Sequence, residues 1–106
     1  MSHIRLTQEA LSDLARLHAF LAKFDLHTAN SAMQVIESAF RLLRDMPLSC
    51  PLVPSRTDLR KLVINFGARG YLAFYEYDAI TDTCVIATVL HQSEFYDKAN
   101  VGLHDE

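Results

Sequence analysis

Few residues of this 106-residue chain have the types and spacing that catalysis or metal binding requires. The five histidines include no pair at HExxH spacing, and neither Cys50 nor Cys84 belongs to a CxxC pair, so the usual spacing of zinc ligands is missing. No GxSxG motif is present. Ser49 or Cys50 with the distant His91 is a weak candidate for a nucleophile and its base. We therefore expect no metal site, no cofactor and no nucleophilic catalysis of these kinds.

Basic residues in the middle of the chain are the stronger candidate. The segment 56–69 carries four cations and one carboxylate, whereas the whole chain has a formal net charge of −3. That net charge argues against binding nucleic acid by bulk electrostatics. We expect the segment to contact an anionic group or a partner protein on an open sheet face, together with two residues further along. The alternative is an ordinary solvated strand edge. The candidate residues are Arg56, Arg60, Lys61, Arg69, His91 and Tyr96.

Two amphipathic helices are predicted before the basic segment. His3–Leu6 alternates polar and apolar residues and predicts a short strand, after which Thr7 can cap a helix over residues 8–25. Thr28 can cap a second helix, which Pro47 ends because proline disfavours the helical conformation of the residue before it. Since very few residues separate the two helices, they should form an antiparallel hairpin.

The apolar period changes to two at Leu59, which predicts three strands joined by two short turns, followed by a helical segment within residues 93–98. The order is β-α-α-β-β-β. It predicts an α+β fold of two layers, a single domain over residues 1–106 with the helical hairpin packed on a mainly antiparallel sheet. The other sheet face is expected to be open, with Phe74 and Tyr75 available to partners. The predicted core residues are Leu11, Leu14, Leu21, Ile36, Phe40, Leu43, Leu62, Ile64 and Ile86.

Composition indicates the compartment. Half of the residues are hydrophobic and 22% are charged, as in ordinary globular domains. No apolar run approaches the roughly 18 residues of a membrane span, and the first residues lack the apolar core of a signal peptide. Two cysteines are too few for a disulfide scaffold. We expect a cytoplasmic protein with no membrane partner.

Three segments of the chain carry a family resemblance. The first reads Ile4-x-Leu-Thr-x-Glu-Ala-Leu-x-Asp-Leu, the second runs from Leu59 to Asp78, and the third is Val85-Ile-Ala-Thr-Val-Leu-His-Gln. Together with the order of elements, they resemble the RelE/ParE toxin superfamily of bacterial type II toxin–antitoxin modules. The resemblance covers residues 3–98.

This resemblance implies a small toxin of the plasmid-stabilisation type, neutralised by a cognate antitoxin. We expect the antitoxin to bind partly over the helical hairpin and partly along the open sheet, complementing the basic segment. The toxin would form a homodimer or a toxin–antitoxin hetero-oligomer. RelE-like members cut mRNA on the ribosome without a metal, whereas ParE-like members poison DNA gyrase and have no nuclease activity.

Two positions distinguish these branches. In the nucleases, the strand that matches Tyr71-Leu72-Ala73 commonly reads Tyr-Arg-aliphatic, and a later position on it is often basic. Here those positions hold Leu72 and Glu76. The departures favour a ParE-like inhibitor of DNA gyrase that acts by protein–protein contact and is not an enzyme. A RelE-like, ribosome-dependent mRNA endonuclease and a non-catalytic interaction domain are the alternatives.

Overall fold

The computed structural model describes residues 1–95. Its elements follow the predicted order, and they confirm the α+β fold with two helices packed on a four-stranded sheet. Tyr96 and the end of the predicted helical segment lie outside the described residues, whereas residues 92–95 are helical. The elements are β1 (His3–Leu6), α1 (Gln8–Ala22), α2 (Leu26–Asp45), β2 (Arg60–Phe66), β3 (Arg69–Asp78) and β4 (Thr83–His91).

Polar side chains fix where the two helices begin. The Thr7 hydroxyl accepts the backbone N–H of Ala10, which confirms it as the N-cap of α1. The predicted cap of the second helix was wrong, because Asp25 occupies that position three residues before Thr28. The Asp25 carboxylate accepts the Thr28 hydroxyl at 2.7 Å and the backbone N–H of His27 at 3.1 Å. These two hydrogen bonds lower the pKa of Asp25.

The sheet joins the two ends of the described chain. Its strand order is β1-β4-β3-β2, with β1 parallel to β4 and both other pairs antiparallel. The pairing of β1 with β4 ends at Leu6 and Ile86, and the α1 helix then crosses the free edge of β4. At this point the Thr7 hydroxyl donates to the carbonyl of Ala87 at 2.7 Å. The helices therefore cover one face of the sheet and one part of its edge.

The core lies between the helical hairpin and this face of the sheet. Ile36, Phe40 and Leu43 of α2 are buried against strand residues that include Ile64 and Ile86, as predicted. Leu14, Leu21 and Leu62 are partly buried against the same core, but Leu11 is 51% exposed and its placement there was wrong. Ala10 and Leu17 take the inward positions of α1 instead, since consecutive helical residues point about 100° apart.

The opposite face, which we call the outer face, carries Leu72, Phe74 and Leu90. It is less open than predicted, because Val53, Leu59 and Phe95 pack over these three side chains. Tyr75 does not lie there: its side chain is fully buried on the helix-facing side, and its hydroxyl donates to the carbonyl of Pro47 at 2.8 Å.

The β2–β3 hairpin closes through a tight turn at Gly67 and Ala68. Gly67 has φ of +64°, a conformation that favours glycine. Gly70 packs so closely on the carbonyl of Ile64 that no side chain fits there. Within residues 1–95, neither helix has the length and apolarity needed to cross a bilayer.

Candidate functional site

The basic residues predicted to form one site lie on opposite faces of the sheet. The register of β2 and β3 sets Lys61 opposite Phe74 on the outer face and Arg60 opposite Tyr75 on the helix-facing side. Arg69 pairs with Phe66 and therefore shares the helix-facing side with Arg60. The expected single groove on an open face is thus not what the structure shows.

Arg60 holds the loop that precedes β2. Its Nη1 donates to the carbonyl oxygens of Cys50 at 2.7 Å and Leu48 at 3.3 Å. The same loop also pairs with the strand, through the N–H of Lys61 on the carbonyl of Pro51. The Arg60 guanidinium therefore already donates to backbone carbonyls of its own chain, so it is less available to bind an external anion.

Arg56 is neutralised by carboxylates. Its Nε and Nη2 donate to the two oxygens of Asp58 at 3.0 and 3.1 Å, and Nη2 lies 3.8 Å from Glu76. The hydrogen bond from Arg56 lowers the pKa of Asp58, and the bond to Asp58 raises the pKa of Arg56. An incoming phosphate would have to displace both acidic partners.

Lys61 lies beside an apolar groove on the outer face. Its Nζ is 6.0 Å from the centre of the Phe95 ring, and that ring lies 5.8 Å from the ring of Phe74. The groove has a volume of about 520 Å³ and is lined by Arg56, Leu59, Phe74, Glu76, Ala87, Thr88, Leu90 and Phe95. Its walls are mainly apolar, so it is better suited to an apolar side chain than to a phosphate.

His91 acts as a helix cap at the end of β4. Its Nδ1 accepts the backbone N–H of Ser93 at 3.1 Å, and Oε1 of Glu94 accepts the backbone N–H of His91 at 2.9 Å. This reciprocal arrangement resembles a capping box with histidine as the capping residue, except that the histidine side chain bonds two residues ahead instead of three. The Ser93 hydroxyl accepts Nη1 of Arg69 at 3.0 Å. Because Nδ1 is an acceptor here, this hydrogen-bond network assigns the proton of the neutral ring to Nε2.

Two residues of α1 that the sequence analysis did not single out connect the helix to this region. The Asp13 carboxylate accepts the Thr88 hydroxyl at 2.7 Å and the backbone N–H of Val89 at 3.0 Å. Arg16 lies 2.7 Å from Glu94 and 3.6 Å from Asp13. No local signal in the sequence identifies Asp13, because only the docking of α1 on the sheet selects Ala10 and Leu17 as the inward residues beside it.

A second groove lies between α1 and the ends of the strands, and we call it the α1 groove. Its volume is about 550 Å³. The ring of Tyr71 is 5.5 Å from the ring of His91 in an edge-on contact, and burial raises the pKa of the Tyr71 phenol. No group of three metal-ligating side chains occurs among residues 1–95. The α1 groove is lined by Leu17, Phe20, Leu21, Phe66, Tyr71 and His91, with Arg16, Ser93 and Glu94 at its polar end.

Comparisons with known proteins point to one family. A family model described as the ParE toxin of the type II toxin–antitoxin system parDE matches residues 4–96. A chain of the chromosomal ParDE system from P. aeruginosa superposes with a TM-score of 0.71 at 15% identity, covering 86% of this chain and 96% of that one. No curated protein sequence matches significantly.

Two E. coli structures share the fold. A chain of the intact RelBE toxin–antitoxin complex has a TM-score of 0.58 at 12% identity, covering 84% of this chain and 94% of that one. The isolated RelE toxin has a TM-score of 0.57 at 15% identity, covering 97% and 99%. At these identities, the likeness is one of fold.

Proposed function

The chain belongs to the ParE toxin family of type II toxin–antitoxin systems, and on this premise we propose that it inhibits DNA gyrase by protein–protein contact. We further propose that a cognate antitoxin neutralises it. The choice of target rests on one observation, namely that two positions of the outer face hold Leu72 and Glu76, neither of which is a cation. These are the two positions where the resemblance to RelE-like nucleases would require cations.

The outer face offers a poor grip for a scissile phosphate. Leu72 is 6% exposed and packs in the apolar cluster with Phe74 and Leu90. Glu76 places a carboxylate 3.8 Å from Arg56 and so adds negative charge where a phosphate would need positive charge. Loss of one group that stabilises transition-state charge typically costs about 10²–10³ in rate, so loss of two would leave little activity.

The remaining basic residues of the predicted site do not lie on the same face of the sheet. Lys61 lies on the outer face, whereas Arg69 and His91 lie on the helix-facing side of the sheet, near its end. His91 also has Nδ1 engaged as a cap acceptor. Side chains on opposite sides of a sheet cannot stabilise one phosphorane together, which supports a toxin that acts by binding.

The fold relatives support an antitoxin partner. The P. aeruginosa ParDE system and the E. coli RelBE complex are both described as toxin–antitoxin assemblies. A protein of the same fold and family would require the same kind of neutralising partner.

The likeness to isolated E. coli RelE over 97% of this chain favours one alternative, ribosome-dependent mRNA cleavage. Paired assays on the purified chain separate the two functions. One measures gyrase supercoiling and the accumulation of cleavage complexes, and the other maps mRNA cuts in a translating ribosome system. We expect inhibition in the first assay and no cuts in the second.

Variants make the comparison sharper. His91→Ala and Tyr96→Ala should each reduce gyrase inhibition only in part, because no proton transfer depends on either residue. Arg41→Ala serves as a control, since that side chain is exposed on α2 and pairs only with Glu37 among the described residues. Cutting at the ribosomal A site that either of the first two variants abolishes would establish the RelE-like function instead.

A further inference from the structure

We propose that the cleft between the free edge of β1 and helix α2, which we call the β1 cleft, binds an extended acidic segment of a partner protein. The segment adds a fifth strand to the sheet. The β1 strand lies at the edge opposite β2, the strand that carries Arg60 and Lys61. None of the six candidate residues lies on β1 or α2, so the inference is independent of the gyrase proposal.

The backbone of β1 has hydrogen-bonding groups available on one side. In a parallel ladder, alternate residues of an edge strand direct their N–H and C=O groups to the neighbouring strand. The N–H groups of His3 and Thr7 donate to carbonyls in or next to β4, at 2.8 and 3.0 Å. Ile4 and Leu6 therefore direct theirs away from β4, and neither has a backbone hydrogen bond outside the sheet within residues 1–95. Backbone groups of this kind at a sheet edge are where an extended peptide adds a strand.

The β1 cleft has an apolar floor and a closed end. Its volume is about 370 Å³, and its apolar lining includes Ile4, Leu6 and Phe40. Phe40 is buried, and the other two are partly buried against the same core. The N–H of Ser2 donates to the carbonyl of Arg44 at 2.7 Å, which ties the start of β1 to the end of α2. The two walls are therefore fixed relative to each other, and an added strand would place every second side chain on this floor.

The other edge of the sheet is partly covered by its own chain. The N–H of Val53 donates to the carbonyl of Leu59, and the N–H of Lys61 donates to the carbonyl of Pro51. The loop before β2 thus occupies the first part of that edge. Among residues 1–95, no segment pairs in this way with the outer side of β1. A partner strand therefore meets less competition at β1.

The charges around the cleft favour an acidic segment. Arg44 lines the cleft, and Arg5 is exposed on the face of β1 opposite Ile4. Neither arginine forms an ion pair within the part of the chain that the structure describes. Glu37 also lines the cleft, but it is already paired with Arg41 at 2.7 Å. A segment that alternates apolar and acidic residues would place its apolar side chains in the cleft and its carboxylates beside Arg5.

The same charges disfavour a second copy of this chain. Two β1 edges paired in an antiparallel sheet would bring Arg5 of one copy close to Arg5 of the other, and like charges on adjacent strands are destabilising. The strand is also only four residues long, and short, charged edge strands resist self-association. The occupant that fits this edge is therefore a different, acidic chain.

The test uses a synthetic six-residue peptide that alternates glutamate and valine and is capped at both ends. It is titrated into the full chain and followed by NMR. At saturation, the amides of Ile4 and Leu6 should exchange with solvent at least tenfold more slowly, because they become hydrogen-bonded. The Arg5 amide, which the ladder already directs to β4, should change little. A peptide that alternates lysine and valine should bind at least tenfold more weakly.

Two N-methylated forms of the acidic peptide test strand addition directly. One form is methylated on the valine nitrogens and the other on the glutamate nitrogens. Successive residues of a strand direct their N–H groups to opposite sides, so only one of these sets can face β1. We expect one form to lose binding and the other to keep it.

Variants of the chain test the charges. Arg5→Glu and Arg44→Glu should each raise Kd by about tenfold, and Arg44→Gln should raise it by a smaller factor. Lys23→Glu is the matched control, because Lys23 is exposed and lies next to the start of α2, about 27 Å along that helix from Arg44. Circular dichroism should show that all four variants fold, since each changes an exposed side chain.

Four results would each overturn the proposal: no binding of the acidic peptide, equal binding of the lysine peptide, equal effects of the two methylated forms, or an equal loss from Lys23→Glu. A dimer of the parent chain in sedimentation that protects Ile4 and Leu6 without peptide would also overturn it, because a second copy would then occupy the edge. Supercoiling assays test the gyrase proposal separately, so either idea can fail while the other stands.

Discussion

Replacing Asp13 should destabilise the fold by removing the acceptor that joins α1 to the edge of β4. In Asp13→Ala, the Thr88 hydroxyl can rotate to another acceptor, but the Val89 N–H is fixed by the backbone and loses its partner. Hydrogen bonds to charged groups contribute about 1.5–3 kcal/mol, and an unsatisfied buried donor costs about 1–3 kcal/mol. The Asp13 side chain is 14% exposed, which moderates the loss. We expect the free energy of unfolding to fall by about 2–4 kcal/mol.

Urea unfolding followed by circular dichroism measures this loss, and thermal unfolding should show Tm lowered by about 8–16 °C. Asp13→Asn should lose about half as much, because its amide oxygen can still accept the Val89 N–H. Glu37→Ala is the matched control: its carboxylate also pairs with an arginine on the same helix, but both side chains are more than 60% exposed, so the loss should stay below about 1 kcal/mol. The reasoning fails if Asp13→Ala costs no more than this control.

Two further predictions concern the turns. Gly70→Ala should destabilise the chain more than Gly67→Ala in urea unfolding, because a Cβ at Gly70 would overlap a backbone carbonyl of β2. A Cβ at Gly67 would meet no neighbouring atom, so Gly67→Ala should cost only the strain of its positive φ, about 1 kcal/mol. Equal losses would contradict this contact. Hydrogen bonds from the Ser2 and Tyr77 hydroxyls lower the pKa of Asp82 below its ordinary 3.8. The stability that this provides is present above pH 3.8 and is lost as the pH falls through the lowered value. Asp82→Asn should therefore lose less stability on acidification, and an unchanged acid transition would refute the assignment.

Much of the fold could be predicted from apolar periodicity. The change from helical spacing to a period of two gave the order of elements, and the Thr7 cap followed from its type and position. The exposure of Leu11 could not be predicted from the sequence, because a leucine at the edge of the apolar stripe of a helix can be either buried or exposed. Only the docking of α1 on the sheet selects Ala10 and Leu17 as the buried residues. The cap at Asp25 was missed because Thr28 is also a common capping residue, although here its hydroxyl donates to Asp25.

The candidate site was harder to predict than the fold. The period of two already places Arg60 and Lys61 on opposite faces, and the structure confirms that alternation. The acceptors of Arg60 come from a loop without periodicity, so its bond to the Cys50 carbonyl could not be foreseen. The α1 groove depends on the distance between a helix and strands far apart in the chain. No local pattern marks Tyr71 as a residue that lines it.

The pairing of β1 with β4 affects when this protein can complete its sheet during synthesis. Ser2 and Asp82, joined by a hydrogen bond of 2.6 Å, are 80 residues apart in the chain. At about 5–20 residues per second, a ribosome needs roughly 4–16 s to pass from one to the other. Until β4 is made, β1 has no neighbouring strand in the sheet, and β3 is paired only with β2. The sheet of a nascent chain therefore stays incomplete until β4 has been synthesised, however early β1 leaves the ribosome.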